Sequence, residues 1–257
     1  MNLFIFICQQ TLIFLVPLLL VGLGDLFSER SGVLNIALEG IMVFGAFAGI
    51  MFIRSASAAM PSWLVLLIAI LISILAGMLL SALHAFASIH LKAEQTISST
   101  AIITFATAFC IFYARVMLGT EQVVFRNTFR IDAVPLLSKI PVLGPILFQK
   151  AYVTTYLGIL VLIVTAFILK RTRFGLRRCG ENPQAADSVG ISVYKMRYSG
   201  VLISGALAGL GGLVFILPTT TTYTASVSGY GFLAMSVVVF GQWKPWGIAL
   251  GALFFGL

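Results

Sequence analysis

The chain alternates long apolar runs with short polar breaks. A helix needs about 20 mostly apolar residues to cross the hydrocarbon core of a bilayer. Residues 3–23 supply one such run, and 24–32 (GDLFSERSG) break it. Residues 34–53 form a second run that contains Asn35 and Glu39. Further runs cover 62–90, 97–118, 151–169 and 198–217. The run 232–241 is too short to span alone, QWKP at 242–245 interrupts, and 246–257 is apolar to its last residue. The pattern predicts an all-α protein: a polytopic transmembrane helical bundle of about 7–8 membrane segments, some broken or re-entrant. An apolar half-span at the end predicts either a shortened C-terminus or a re-entrant piece packed on protein.

Composition agrees. Of 257 residues, 60% are hydrophobic and 9% charged, against about 25% charged in soluble domains. The net charge of +8 follows the loops, so it points to membrane orientation and not to nucleic acid. The longest polar run, 170–197, holds seven of the sixteen basic residues, opposed only by Glu181 and Asp187. Lys and Arg near span ends resist translocation, so 170–197 is expected in the cytoplasm and 119–150 outside, although Arg126, Arg130, Lys139 and Lys150 blur the charge rule there. Cys8, Cys110 and Cys179 are scattered and form neither a disulfide framework nor a metal site. No Walker loop, G-x-S-x-G or H-E-x-x-H is present. Nothing argues for an enzyme.

The polar residues inside the runs carry the candidate chemistry. Glu39 is costly in lipid, so it either faces a translocation path or hydrogen-bonds a neighbouring helix end. Asn35, four residues earlier, is expected on the same helix face. Ser28 joins them as a candidate path residue. His84 and His90 lack companions at metal-ligand spacing and are read as polar residues near a span end. Thr219–Thr222 either line the mouth of a path or form a solvated turn. Small-xxx-small patterns at Gly45–Gly49 and Gly205–Gly209 predict close helix contacts. VFGAFAGI (43–50) and ISGALAGL (203–210) resemble each other, as internal repeats of transporters do.

With these residues in view, the polar loop is interpretable. Gln184-Ala185-Ala186-Asp187-Ser188-Val189-Gly190 resembles the EAA loop of ABC-importer permeases, with Gln184 where a glutamate often stands. The run 177–212 resembles the permease branch that accompanies basic-membrane-protein-type binding proteins and is related to the branched-chain amino acid and ribose permeases. The stretches 28–49 and 229–256 resemble the same branch, so three matches in order cover nearly the whole chain.

The resemblance implies a single permease domain over 1–257, continued in the family by further hydrophobic sequence, with 170–197 as the cytoplasmic coupling loop. It implies a short coupling helix within 182–194, started by Asn182-Pro183. Glu181, Gln184, Ala185, Ala186, Asp187 and Gly190 would meet a separate ABC ATPase. ATP is used by that partner and no cofactor is held here. The other expected partners are a second, unlike permease and an extracytoplasmic solute-binding lipoprotein, in a bacterial inner membrane. Few fixed charges line the path, which suits a nucleoside-like solute. Riboflavin or a simple sugar is the alternative, as is a secondary transporter that uses Glu39.

Overall fold

The computed structural model describes residues 2–56, 60–125, 129–133, 144, 149–171, 176–188 and 190–257. Ten helices dominate them: α1 (Asn2–Ser31), α2 (Leu38–Ser55), α3 (Ser62–Ala85), α4 (Gln95–Leu118), α5 (Val153–Arg171), α6 (Leu176–Glu181), α7 (Pro183–Ser188), α8 (Val193–Thr219), α9 (Tyr230–Phe240) and α10 (Pro245–Phe255). Six are long and apolar enough to cross a membrane, and α9 and α10 are shorter apolar helices. The chain is a multi-pass membrane protein. Strand content among the described residues is small. β1 (Val123–Val124) pairs antiparallel with β4 (Thr222–Tyr223), and β2 (Arg130–Ala133) with β3 (Gln149–Tyr152).

Helix α8 is the axis of the bundle. Its glycines let three neighbours approach backbone to backbone, because lipid gives helices no hydrophobic drive to associate and close packing must supply the attraction. A Cβ on Gly205 would run into Ser81 of α3, and one on Gly212 into the Met42 carbonyl of α2. The two small-residue patterns meet: a Cβ on Gly45 would strike the Cα of Gly209. Helix α1 runs antiparallel to α8, with Gly24 against Ser204 and Ser31 against Gly200.

The break expected at 24–32 does not occur. Helix α1 continues through Asp25 and Ser28 to Ser31 and ends where Gly32 adopts φ +86°. Asp25, Ser28 and Ser31 are buried rather than released as a loop, while Glu29 and Arg30 stay half-buried, and Ser28 Oγ donates to the Val33 carbonyl (2.7 Å). Helix α2 then begins only at Leu38. Asn35 therefore lies in the connection, and the expectation that it shares a helix face with Glu39 is corrected.

Two ends of the bundle can be told apart. At the loop end lie α6, α7 and the start of α8. Here His84 joins the Leu34 carbonyl (3.1 Å) to Ser98 (3.2 Å), a hydrogen-bonding role in line with its sequence reading. At the far end β1 and β4 pair, and Arg54 at the end of α2 donates to the Val124 carbonyl (3.2 Å). Helix α9 starts beside Phe14 of α1, with ring centroids of Phe14 and Tyr230 6.3 Å apart, and descends to the loop end. Helix α10 climbs back, bringing Gly256 against Leu15.

Candidate functional site: a hydroxyl-lined cleft and its links to the loop end

The segment between α8 and α9 has a two-residue rhythm. Tyr223, Ala225 and Val227 are buried, whereas Thr224, Ser226 and Ser228 are exposed. The segment is strand only at Thr222–Tyr223 and bends at Ala225 (φ +53°), yet its side chains still fall alternately inward and outward. The apolar set anchors the segment. Tyr223 is 1% exposed and its hydroxyl donates to the Val43 carbonyl (2.6 Å). The hydroxyl set faces a cleft of about 390 Å³ that also takes in Gln10 and Phe14 from α1 and Phe215 and Thr219 from α8. No lining residue is charged. At one edge Tyr230 lies against Phe215, with ring centroids 4.0 Å apart. The cleft thus offers hydroxyls beside the half-buried ring of Phe14 and beside Phe215, which is 6% exposed and packed on Tyr230.

Glu39 holds the far side of this segment in place. Helix α9 starts at Gly229 (φ +82°), whose lack of a side chain leaves the first amides without a local cap. Glu39 supplies one from α2: the Gly229 N–H donates to Oε1 (2.9 Å) and the Gly231 N–H to Oε2 (2.7 Å). A carboxylate at a helix N-terminus satisfies orphan amides and complements the dipole. Gly231 packs so closely on the Glu39 backbone that a Cβ there would lie about 2.5 Å from its Cα.

The other candidate path residues lie elsewhere. Asn35 donates to Ser204 Oγ (3.0 Å), and its Oδ1 is buried without a partner among the described residues. Ser28 is fourteen residues along α1 from Phe14, about 21 Å of helix rise. None of the three lines the cleft; Glu39 reaches it only through Gly229, the residue after Ser228 of the lining. Sequence reasoning passed over Asp25, which is fully buried with neither carboxyl oxygen hydrogen-bonded among the described residues. It also passed over the cleft's Gln10, Phe14, Phe215, Thr224, Ser226 and Ser228. The apolar/hydroxyl alternation of 222–228 was the available signal.

At the loop end, Asn182 Oδ1 accepts from the Ala185 N–H (3.0 Å) and starts α7 at Pro183. Glu181, Gln184, Ala185, Asp187 and Gly190 are exposed, whereas Ala186 is buried in the chain itself. Gly190 has φ +80° with open space around it. Arg173, Val189 and the side chains of Arg177 and Arg178 lie outside the described residues.

The α9–α10 turn is tied to α1 next to these helices. Trp243 Nε1 donates to the Glu29 carboxylate, and Arg30 donates to the Trp243 carbonyl. Gln242 and Trp243 take φ of +50° and +54°, a conformation that costs a non-glycine residue about 1–2 kcal/mol. Gly180 of α6 sits against the Arg30 carbonyl, and Glu181 shares a recess with Glu29 and Trp243. One chain of contacts therefore runs from α6 through the end of α1 to the α9–α10 turn, and along α9 to the cleft.

Residues 7–257 match the profile of the branched-chain amino acid transport system permease component. The chain belongs to that family. It is a transport subunit and not an enzyme, as the family match and the permease relatives show. It is similar to the guanosine ABC transporter permease protein NupQ of Bacillus subtilis, at 45% identity over 97% of this chain and 79% of the relative. It is 39% identical to the nucleoside ABC transporter permease protein NupC of Lactococcus lactis, over 98% of this chain and 80% of the relative. A second Bacillus subtilis protein, the guanosine ABC transporter permease protein NupP, is 27% identical over 98% of this chain and 72% of the relative. No solved structure matches.

Proposed function

We propose that the chain is a permease subunit of an ATP-binding-cassette importer that passes a nucleoside, with the cleft at the far end receiving the solute. The observation that carries this reading is the cleft's lining. It is uncharged, rich in Thr and Ser hydroxyls and flanked by Phe14 and Phe215. A planar base stacks on aromatic faces, and ribose hydroxyls pair with Thr and Ser, a mostly apolar site with a few placed polar groups. The relatives, a guanosine and a nucleoside permease, support the same solute class.

The loop end faces the cytoplasm of a bacterial inner membrane on this reading, and α7 docks a separate ATPase that consumes the ATP. Exposed Glu181, Gln184, Ala185, Asp187 and Gly190 supply the contact, while Ala186 holds α7 to the permease. An extracytoplasmic binding protein delivers solute to the far end. A second, unlike permease completes the path. Two guanosine permeases in one organism, 45% and 27% identical to this chain, fit such a pair.

The test is uptake by the full-length permease, co-purified with its partner subunits and binding protein and reconstituted into vesicles. ATP-dependent accumulation of labelled guanosine, outcompeted by adenosine or uridine but not by glucose or riboflavin, is the expected result. Accumulation of glucose or riboflavin in preference to guanosine would reassign the solute. Uptake that needs no ATP and collapses with the proton gradient would remove the ATPase from the mechanism.

A further inference from the structure

A second cavity, of about 500 Å³, opens at the loop end between the last turn of α5 and the first turn of α10. Its rim carries Arg30, Lys170, Arg171 and Lys244, and no lining residue is acidic. Lys170, Arg171 and Lys244 are exposed and form no ion pair among the described residues. Arg30 is anchored to the Trp243 carbonyl, which holds its guanidinium at the rim. The nearest acid on α1, Glu29, accepts from Trp243 at a neighbouring recess. Below the cations the wall is apolar: Phe167 is 62% exposed and Trp246 63%.

This arrangement has two chemistries stacked along the membrane normal. Helix α5 ends at Arg171, so the cations stand at headgroup depth. Phe167, one turn back along α5, stands at the depth of the upper acyl chains. Amphipathic Trp at such a level marks the boundary between the two. Basic pockets between membrane helices recognise anionic headgroups through charge-assisted hydrogen bonds to phosphate oxygens.

We infer that the α5–α10 cavity is a binding site for an anionic phospholipid, with the phosphodiester held by Lys170, Arg171 and Lys244 beside Arg30 and an acyl chain lying over Phe167 and Trp246. A soluble organic phosphate would satisfy the cations but leave the aromatic wall uncovered, and the wall decides for lipid. The orientation proposed above determines only which leaflet supplies it.

The experiment uses the full-length permease in its purified transport complex, reconstituted with the same lipid mixture in both leaflets, so its outcome does not depend on orientation or solute. Vesicles contain bromine-labelled phosphatidylglycerol or bromine-labelled phosphatidylcholine, and tryptophan quenching is read. Phosphatidylglycerol is expected to quench at the lower mole fraction. Each basic residue near a headgroup contributes about fivefold in affinity. The variant carrying Lys170→Gln, Arg171→Gln and Lys244→Gln should therefore lose preference on the order of a hundredfold. A Lys170→Arg, Lys244→Arg variant should keep it, which separates charge from folding. Equal quenching by the two lipids in the unmodified protein would overturn the proposal, as would an unchanged preference in the triple variant. Displacement of phosphatidylglycerol by millimolar glycerol phosphate would overturn it in favour of a soluble anion. Quenching that is unchanged by Trp246→Phe would mean that protein covers the cavity, and would overturn it too.

Discussion

The two ends of the bundle use charged groups in opposite ways. At the far end, the charged group behind the cleft segment is engaged inside the chain: the Glu39 carboxylate oxygens accept from the Gly229 and Gly231 amides at the start of α9. What remains for solute is neutral. At the loop end, His84, Ser28 and Asn35 are likewise engaged inside the chain, but the charged groups around α7 and the α5–α10 cavity face outward. Glu181, Gln184 and Asp187 on or beside α7, and Lys170, Arg171 and Lys244 around the α5–α10 cavity, are exposed. The contrast teaches that a satisfied charge can be architecture even in the membrane, whereas exposed unpaired charge at a helix end marks a surface made for another molecule.

The sharpest way to break the contrast is to remove Glu39. Glu39→Ala leaves the half-buried Gly229 amide and the buried Gly231 amide without their acceptor, at about 1–3 kcal/mol for the latter. The start of α9, which follows directly on the cleft residue Ser228, should lose order. Uptake is expected to fall by more than about tenfold, since each 1.4 kcal/mol is a factor of ten. Amide exchange at Gly229 and Gly231 should rise in parallel. Uptake lost with those amides still protected would make Glu39 a solute or proton contact instead of a cap.

Next in size is Gly190→Arg at the loop end. The added side chain enters open space, so the permease itself should stay folded. A φ of +80° adds about 1–2 kcal/mol of local strain. Gly190→Ala carries the same strain without the bulk and is the control. Solute-stimulated ATPase activity of the complex should fall at least about tenfold for arginine, equivalent to about 1.4 kcal/mol of lost coupling, and stay near normal for alanine. Normal stimulation in the arginine variant would take α7 out of the ATPase interface.

The link between the ends can be loosened by Trp243→Phe. The ring stays and the N–H to Glu29 goes. A partly exposed bond of this kind contributes about 1 kcal/mol, so transport per ATP hydrolysed should drop about fivefold, while ATPase docking is unchanged. Glu29→Gln should reproduce the effect in weaker form, because an amide oxygen still accepts. A fall in ATPase docking together with transport would mean that the contact only supports the fold.

The sequence made much of this readable. The apolar runs located the membrane helices, because bilayer thickness sets their length, and Asn182-Pro183 announced α7 through capping chemistry. The small-residue patterns announced contacts but not partners; that Gly45 meets Gly209 is set by how α2 crosses α8. The break expected at 24–32 failed because Asp25, Ser28 and Ser31 read as loop residues, and only tertiary burial against α8 keeps them helical. Asn35 fell off the helix for the same reason, since the chain must turn at Gly32 before α2 can begin. Glu39 was visible as an anomaly, and both readings of it were open. Its partners lie 190 and 192 residues away, beyond what periodicity can reach. The cleft was hidden in a run that looked merely polar, because its meaning lies in an alternation of hydroxyl and apolar side chains and not in any single residue.

The smallest effect concerns pH. Glu94, just ahead of α4 at the loop end, accepts from the Thr96 N–H (3.0 Å) and the Ile97 N–H (2.7 Å). These bonds, led by that of Thr96, hold its carboxyl below the usual carboxylate range. The folded value is therefore depressed relative to the unfolded one. The stability that the cap contributes is fully present above the ordinary glutamate value of about 4.3 and is lost as pH falls through the lower folded value. Protonation weakens the start of α4, next to the Leu34–Gln95 contact (2.9 Å). The cleft at the far end has no titratable lining residue and no such dependence of its own. Thermal unfolding of the unmodified protein should thus weaken between about pH 5 and pH 3 by more than that of Glu94→Gln, whose amide cannot be neutralised. Both proteins share every other carboxylate, so the difference between their slopes isolates the cap. Identical slopes would show that the α4 start is held by its packing against α2 and not by the charge ahead of it.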